Sequence, residues 1–460
     1  MRRKAKLTEI ALPDYGLPRE LPALDGDLYK SRLARLTDRL AECGLDTAVI
    51  YGDREHCANF AYLTGFDPRF EEAILIVVRG REPVIVTGPE NLGLAEAAPI
   101  GARGELWPGF GLLGQDRSRT RTLTDVLASA GLDRKGPIGV IGWKYFLAGE
   151  LSDPASATDL PAYLSAALAG FGSLVNATAL MMDPAEGLRA TVDLAEIARF
   201  EFLASHGSDS VRRVLTGLRP GMTELEAASL MRPLGLPLCC HPMLSTGERS
   251  RFGVCSPTSR IIARGDTFTT AFGYQGSLTA RAGFVAEGPE DLPEGAKDYV
   301  DRLVGPYFEA AVEWYETIGL GVTGGEIDSK MRARLDNDFF RLSLNPGHLI
   351  HIDEWMNSPV SPGGKEVFRS RQMVQIDMIP ATGSAYFTTN IEDGVALLDA
   401  EDRAAFAERF PEANRRIAAR REFMADVLGI RLKPETMPLS NLSGFLPAYL
   451  LQPNLAMALH

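Results

Sequence analysis

The chain has 460 residues, of which 45% are hydrophobic and 23% charged, ordinary globular values that exclude disordered, collagen-like and coiled-coil classes. At about 100–200 residues per domain, this length predicts two domains, with three as the upper alternative. The 48 Lys and Arg against 60 Asp and Glu leave a net charge of -12, and no basic run offsets it, so nucleic acid is not an expected partner.

The basic start is followed by Glu9, Pro13, Asp14 and Pro18 rather than by the apolar stretch of a secretory signal. No segment reaches the about 18 uninterrupted apolar residues of a membrane span, so the expectation is a cytoplasmic protein with no membrane partner. The five cysteines, Cys43, Cys57, Cys239, Cys240 and Cys255, are odd in number and lack CxxC spacing, which argues for thiols rather than a disulfide framework or a zinc ribbon.

Leu28, Leu33, Leu36 and Leu40 fall at helical spacing among charges and Gly44 closes the pattern, which predicts an amphipathic helix from about Asp27 to Cys43. Thr47 to Tyr51, Ala73 to Val78, Pro83 to Thr87, Ile138 to Gly142 and Ser173 to Asn176 read as short strands, and Leu160 to Gly170 as a helix. Together they predict an α/β N-terminal domain on a mixed or parallel sheet, residues 1–183.

From Asp193 to Val214, Leu194, Ile197, Phe200, Leu203, Val211 and Val214 mark a long amphipathic helix, stopped by Leu218 to Met222. Thr223 to Glu226 reads as a capping box for a second helix. Strand-like runs at Phe268 to Tyr274, Met373 to Met378 and Gly394 to Leu398 alternate with helices near Ala296 to Tyr315 and Ile327 to Phe340. That is an α+β C-terminal domain, residues 184–460, with a charged helical tail through Ala425. Its apolar end, Gly444 to Leu451, is expected to pack on a subunit surface, because Pro447, Gln452 and Pro453 interrupt it.

One cluster concentrates chemistry: His348, His351, Asp353 and Glu354 lie within a few residues of a Pro346-Gly347 turn, a density suited to a metal or an acid–base site. On a strand, His348 and His351 would point to opposite faces. Asp377 sits inside an apolar run and Glu392-Asp393 in another strand-like segment. Buried carboxylates there need a partner or a shifted pKa, whereas solvent-facing ones would be ordinary strand-edge residues. His241, beside a turn proline, reads either as a pocket residue or as a satisfied structural one. Phe272, Tyr274, Trp355 and Tyr386 could wall a pocket or pack in the core.

Several stretches together resemble the creatinase and aminopeptidase P superfamily: Arg32-Leu33, Gly44 to Thr47 and Asn59 to Phe66 in the first domain, then Leu194 to Ile197 and Gly217 to Glu224 in the second. The likeness runs from about Tyr29 to Leu398. It implies an α/β N-terminal domain followed by a pita-bread C-terminal domain. It also implies a homodimer in which one subunit's N-terminal domain borders the other's site.

Metal-dependent members hold two divalent ions with two Asp, one His and two Glu, and position a hydroxide for attack on an amide carbon. By the resemblance, the first Asp position falls at Ala271 and the second at Leu278, and the pocket His falls at Val254 or Cys255. His348 stands at the ligand His, Asp377 at the first Glu and Glu392 at the second. Trp355-Met356 replaces a His-Glu pair, His351 replaces a glycine, and Ala280 replaces the guanidinium-binding Glu of creatinase.

The resemblance therefore implies a small-molecule C–N hydrolase or lyase of creatinase-like type, without the dinuclear centre. His348, Asp377, Glu392, His351 and Glu354 are the candidate catalytic residues, and Trp355, Tyr274, Arg281 and His241 the candidate substrate-binding ones. The cofactor reading is none, or one divalent metal ion on His348, Asp377 and Glu392. The partner is a small nitrogenous substrate or a short peptide. The alternatives are a catalytically silent pita-bread binding protein and an Xaa-Pro type metallo-aminopeptidase.

Overall fold

The computed structural model describes residues 3–68, 70–118, 120–132 and 136–460. Two compact units emerge, 24–190 and a second made of 1–23 with 191–460. The first strand, β1 (Ala5–Glu9), belongs to the second unit because it pairs antiparallel with the last strand of the chain. Residues 184–190 stay with the first unit: the Leu188 and Arg189 amides donate to the carbonyls of Leu180 and Met181 at 2.9 and 3.0 Å.

In the 24–190 unit, the helix Gly26–Glu42 starts where Asp25 accepts a hydrogen bond from the Leu28 amide, and it buries Tyr29, Arg32, Leu36 and Leu40. Six strands follow: β2 (Thr47–Gly52), β3 (Ala73–Val78), β4 (Val84–Thr87), β5 (Arg103–Leu106), β6 (Ile138–Ile141) and β7 (Leu174–Asn176). They form one mixed sheet in the order β5-β4-β3-β2-β6-β7. The pairs β2·β3 and β3·β4 are antiparallel, and the remaining three are parallel. Every residue of β2, β3, β4 and β6 is buried, which explains their continuous apolar runs: helices cover both faces of the sheet. Each fully buried aliphatic side chain there contributes about 1.5–3 kcal/mol.

The second unit carries β8 (Met243–Thr246), β9 (Thr267–Phe272), β10 (Thr279–Phe284), β11 (His348–Leu349), β12 (Gln372–Asp377), β13 (Asn390–Leu397), β14 (Thr436–Pro438) and β15 (Leu455–Leu459). The main sheet runs β11-β12-β13-β10-β9-β8, with β14 also on β13, and every pairing in it is antiparallel. This sheet curls into a half-barrel, the pita-bread architecture.

The long helix spans Leu194–Gly217 and the next one Glu224–Ser229, each opened by a capping box, on Asp193 and Glu196 and on Thr223 and Glu226. The expected helix from Ala296 begins as a π turn, Val300–Val304, and becomes regular at Gly305–Thr317. Pro306 has no amide to give and so sits at the start of the regular turn. The tail forms two helices, Ala400–Arg409 and Pro411–Asp426. The apolar segment expected on a subunit surface is instead internal. Phe445, Leu446, Ala448 and Tyr449 are buried, and the Phe445 carbonyl accepts from Arg281 Nε at 2.9 Å. Among the described residues no helix is long and apolar enough to cross a membrane.

Candidate active site

Strand register brings the candidate carboxylates together. Asp377 on β12 stands directly opposite Glu392 on β13, Glu392 opposite Ala280 on β10, Ala280 opposite Ala271 on β9, and Ala271 opposite Met243 on β8. Directly opposed residues share a face, so these five side chains form one row across the half-barrel. Alternation puts Gln375 and Asn390 on the same face, with His348 opposite Gln375.

His348 reaches this face through a short, constrained turn. Gly347 has φ 136°, and a Cβ there would meet the Gln375 carbonyl at 2.9 Å and the Trp314 ring. Trp314 Nε1 fixes the turn by donating to the Pro346 carbonyl at 2.7 Å. The chain then makes a closed excursion: the Leu349 amide donates to the Asn357 carbonyl, and the Met356 amide donates back to the Leu349 carbonyl. That closure returns Glu354 and Trp355 to His348. The indole stacks on the imidazole with centroids 4.2 Å apart, and Glu354 Oε1 lies 3.3 Å from His348 Nε2.

The protons follow from the contacts. His348 Nδ1 faces the Leu349 carbonyl at 3.3 Å; a carbonyl can only accept, so Nδ1 carries the proton of the neutral ring. Nε2 is then the free lone pair, buried and without hydrogen-bond geometry to any partner, although Glu354 is at ion-pair distance. Burial pulls the His348 pKa down, yet Glu354 beside it and Asp377 nearby raise it above the ordinary histidine value. Asp377, also buried, has its pKa pushed up to about 6 by burial, against the pull of His348 and with the repulsion of Glu354. Burial, then Asp377, then Glu354 hold Glu392 well above the usual carboxylate range. Environments that push titrating neighbours in this way are characteristic of acid–base sites.

The other candidate residues lie elsewhere. His351 has left the strand: its Nδ1 accepts from the Ile352 amide at 2.8 Å and its Nε2 lies 3.6 Å from Glu196 Oε1, next to Phe200. Arg281 is on the opposite face of β10 from Ala280. There it forms a buried ion pair with Asp393 at 2.7 Å and donates to the carbonyls of Leu442 and Phe445. Tyr274 is buried edge-on to Phe272, its hydroxyl accepting from the Leu234 amide. His241 is exposed and bonded to the Val254 carbonyl at 2.9 Å. The structure therefore gathers His348, Glu354, Trp355, Asp377 and Glu392, and leaves His351, Arg281, Tyr274 and His241 with other contacts.

Two residues of the same face were not legible as functional. Gln375 Nε2 donates to the Leu278 carbonyl at 2.9 Å and to Glu392 Oε1 at 3.3 Å. This fixes the amide so that Oε1 is a buried acceptor with no hydrogen-bond partner. Asp377 Oδ1 and Asn390 Oδ1 are buried acceptors in the same condition, each costing about 1–3 kcal/mol while unmet. The i, i+2 spacing of Gln375 with Asp377 and of Asn390 with Glu392 was the available signal.

Two ions do not fit this face. Ala271 and Leu278, where the resemblance places the two Asp ligands, carry no ligating side chain, and the Leu278 carbonyl is already used by Gln375. One ion fits: His348, Glu354 and Glu392 each bring a donor atom within 4.8 Å of the others, a three-ligand set of imidazole and carboxylates. Glu354, rather than Asp377, is the third member of that set.

Residues 32–145 match the model of the Creatinase/Prolidase N-terminal domain. The chain is 22% identical over 388 residues to an uncharacterized peptidase, YqhT, of Bacillus subtilis, covering 81% of this chain and 96% of that protein. Among solved structures it resembles a prolidase from Thermococcus sibiricus (TM-score 0.63, 19% identity, 82% of this chain and 95% of that one). It also resembles an Xaa-Pro dipeptidase from Bacillus anthracis (TM-score 0.60, 17% identity, 81% and 96%). The chain thus has the creatinase/aminopeptidase P fold, an α/β domain before a pita-bread half-barrel. Its metal-binding cluster is incomplete.

Proposed function

We propose that the protein cleaves a C–N bond in a small nitrogenous substrate or short peptide, using acid–base groups of its own rather than a dinuclear centre. The observation that carries this reading is the convergence of buried His348, Asp377 and Glu392 with half-buried Glu354, the pKa values of His348, Asp377 and Glu392 all being raised. In its protonated form, which Glu354 favours, His348 donates from Nε2 to the leaving nitrogen. Asp377, ionised above about 6, takes the proton of the attacking water. Glu392, whose pKa is raised by burial and by Asp377, donates a hydrogen bond to the substrate in its protonated form.

If His348, Glu354 and Glu392 hold a divalent ion, it supplies Lewis-acid polarisation of the scissile group. The solved relatives named prolidase and Xaa-Pro dipeptidase make Xaa-Pro dipeptides one substrate class to try. Amides, amidines and guanidino acids are the other. The resemblance adds a homodimer to this reading, and a cytoplasmic location is proposed alongside it.

The absence of carboxylates at Ala271 and Leu278 favours a second reading, a binding protein that no longer turns over. Release of amine from a panel of these substrates separates the two. The hydrolase reading expects turnover that rises as pH passes about 6, and that His348→Gln and Asp377→Asn abolish. Saturable ligand binding without turnover at any pH would establish the binder instead.

A further inference from the structure

The two adjacent cysteines have no part in the chemistry above. Cys239 and Cys240 are free and half-buried, with Sγ atoms 3.7 Å apart, and Cys239 Sγ also donates to the Ser277 carbonyl at 3.3 Å. Their segment is tied to the turn between β9 and β10 by two backbone hydrogen bonds, the Cys239 amide to the Gly273 carbonyl and the Gln275 amide to the Pro237 carbonyl, which together make the antiparallel bridge between Leu238 and Tyr274. The next carbonyl along that turn, Leu278, accepts from Gln375 Nε2, and the same amide group donates to Glu392 Oε1. One short line of hydrogen bonds therefore leads from the cysteine pair to a site carboxyl.

We infer that Cys239 and Cys240 are a redox-active vicinal dithiol, a modification site oxidised to a disulfide by a peroxide and read out at Glu392 through the turn 273–278. In the reaction, the Cys240 sulfur attacks a peroxide oxygen, since the contact with Cys240 and burial hold the Cys239 thiol well above its ordinary pKa, and the O–O bond breaks, giving a sulfenic acid and one water. The second sulfur then displaces the hydroxyl as a second water, and the S–S bond forms. Two thiol hydrogens are lost, two electrons pass to the peroxide, and no other reactant is needed. Oxidation removes the S–H that serves the Ser277 carbonyl and draws Cys239 away from the turn. Neighbouring Cα atoms are only about 3.8 Å apart, below the roughly 4.4–6.8 Å of ordinary disulfides, so the product is strained and easily reduced. Reversibility is thus built into the adjacency.

The test uses the full chain carrying Cys43→Ser, so that exposed Cys43 cannot link two molecules. After hydrogen peroxide treatment, peptide mapping is expected to find Cys239 joined to Cys240 with the loss of two hydrogens, restored by dithiothreitol and absent from Cys240→Ser. Hydrogen exchange in the oxidised form is expected to be several-fold faster over 273–278 than in the reduced form. Cysteines that stay reduced, pass separately to sulfinic acids, or pair with Cys255 would overturn the dithiol assignment. A disulfide that leaves exchange over 273–278 unchanged would overturn its link to Glu392. Neither readout depends on the hydrolase reading.

Discussion

Asp377 and Glu392 stand directly opposite each other across β12 and β13, both buried; His348 draws Asp377 toward ionisation, whereas Glu392 feels the carboxyls of Asp377 and Glu354. Two carboxyl groups in that position cannot both ionise cheaply, so the pair retains a proton that solvent-exposed carboxyls would release.

This arrangement costs stability, with a definite sign. A carboxyl whose folded pKa lies above its unfolded value binds more protons in the folded state, so stability falls as pH rises from the unfolded value to the folded one. For Asp377 the window runs from 3.8 to about 6. Asp377→Asn is therefore expected to stabilise the protein at pH 7 by on the order of 1–3 kcal/mol, with the gain gone below pH 4. Urea unfolding at the two pH values measures it; an equal effect at both would show that Asp377 titrates normally.

Because His348 is stacked on Trp355, its protonation is visible optically. An imidazolium quenches a stacked indole, so fluorescence should increase as pH rises through the His348 pKa, with a midpoint above that of free histidine. Glu354→Gln should lower the midpoint, and Trp355→Phe should remove the transition. A midpoint unmoved by Glu354→Gln would mean that another group raises His348.

Ion stoichiometry distinguishes the two candidate ligand sets. Titration with Zn²⁺ under calorimetry is expected to fill one site per chain at this face, since among the described residues only His348, Glu354 and Glu392 converge. His348→Ala and Glu354→Ala should abolish it, while Asp377→Asn should keep it. Two ions per chain, or loss of binding in Asp377→Asn alone, would contradict the geometry.

Arg281 serves the fold. Its guanidinium pairs with buried Asp393 and satisfies the carbonyls of Leu442 and Phe445, so Arg281→Met strands a buried carboxylate at a cost of about 3–5 kcal/mol. Replacing Asp393 by Leu in the same chain should recover much of that loss. The Trp355 titration should be unaffected, because Arg281 faces away from His348; a shifted titration would place Arg281 in the site after all.

Local pattern in the chain is enough for several strands and helices: the buried runs of β2, β3 and β6, the capping box of Thr223 and Glu226, and the amphipathic stripe of Leu28, Leu33, Leu36 and Leu40. It also marked His348, Asp377 and Glu392 as carboxylates and imidazole in unusual company. What it could not supply was register. Whether Glu392 faces Ala280 or Arg281 depends on a single-residue choice in strand pairing, and that choice decides which residues share the site and which are structural. The return of Glu354 to His348 depends on a loop closed by Leu349 and Asn357. The pairing of β1 with β15 joins positions more than 440 residues apart. Such contacts are fixed by the packing of the whole unit, because no local preference of the chain distinguishes them from their alternatives.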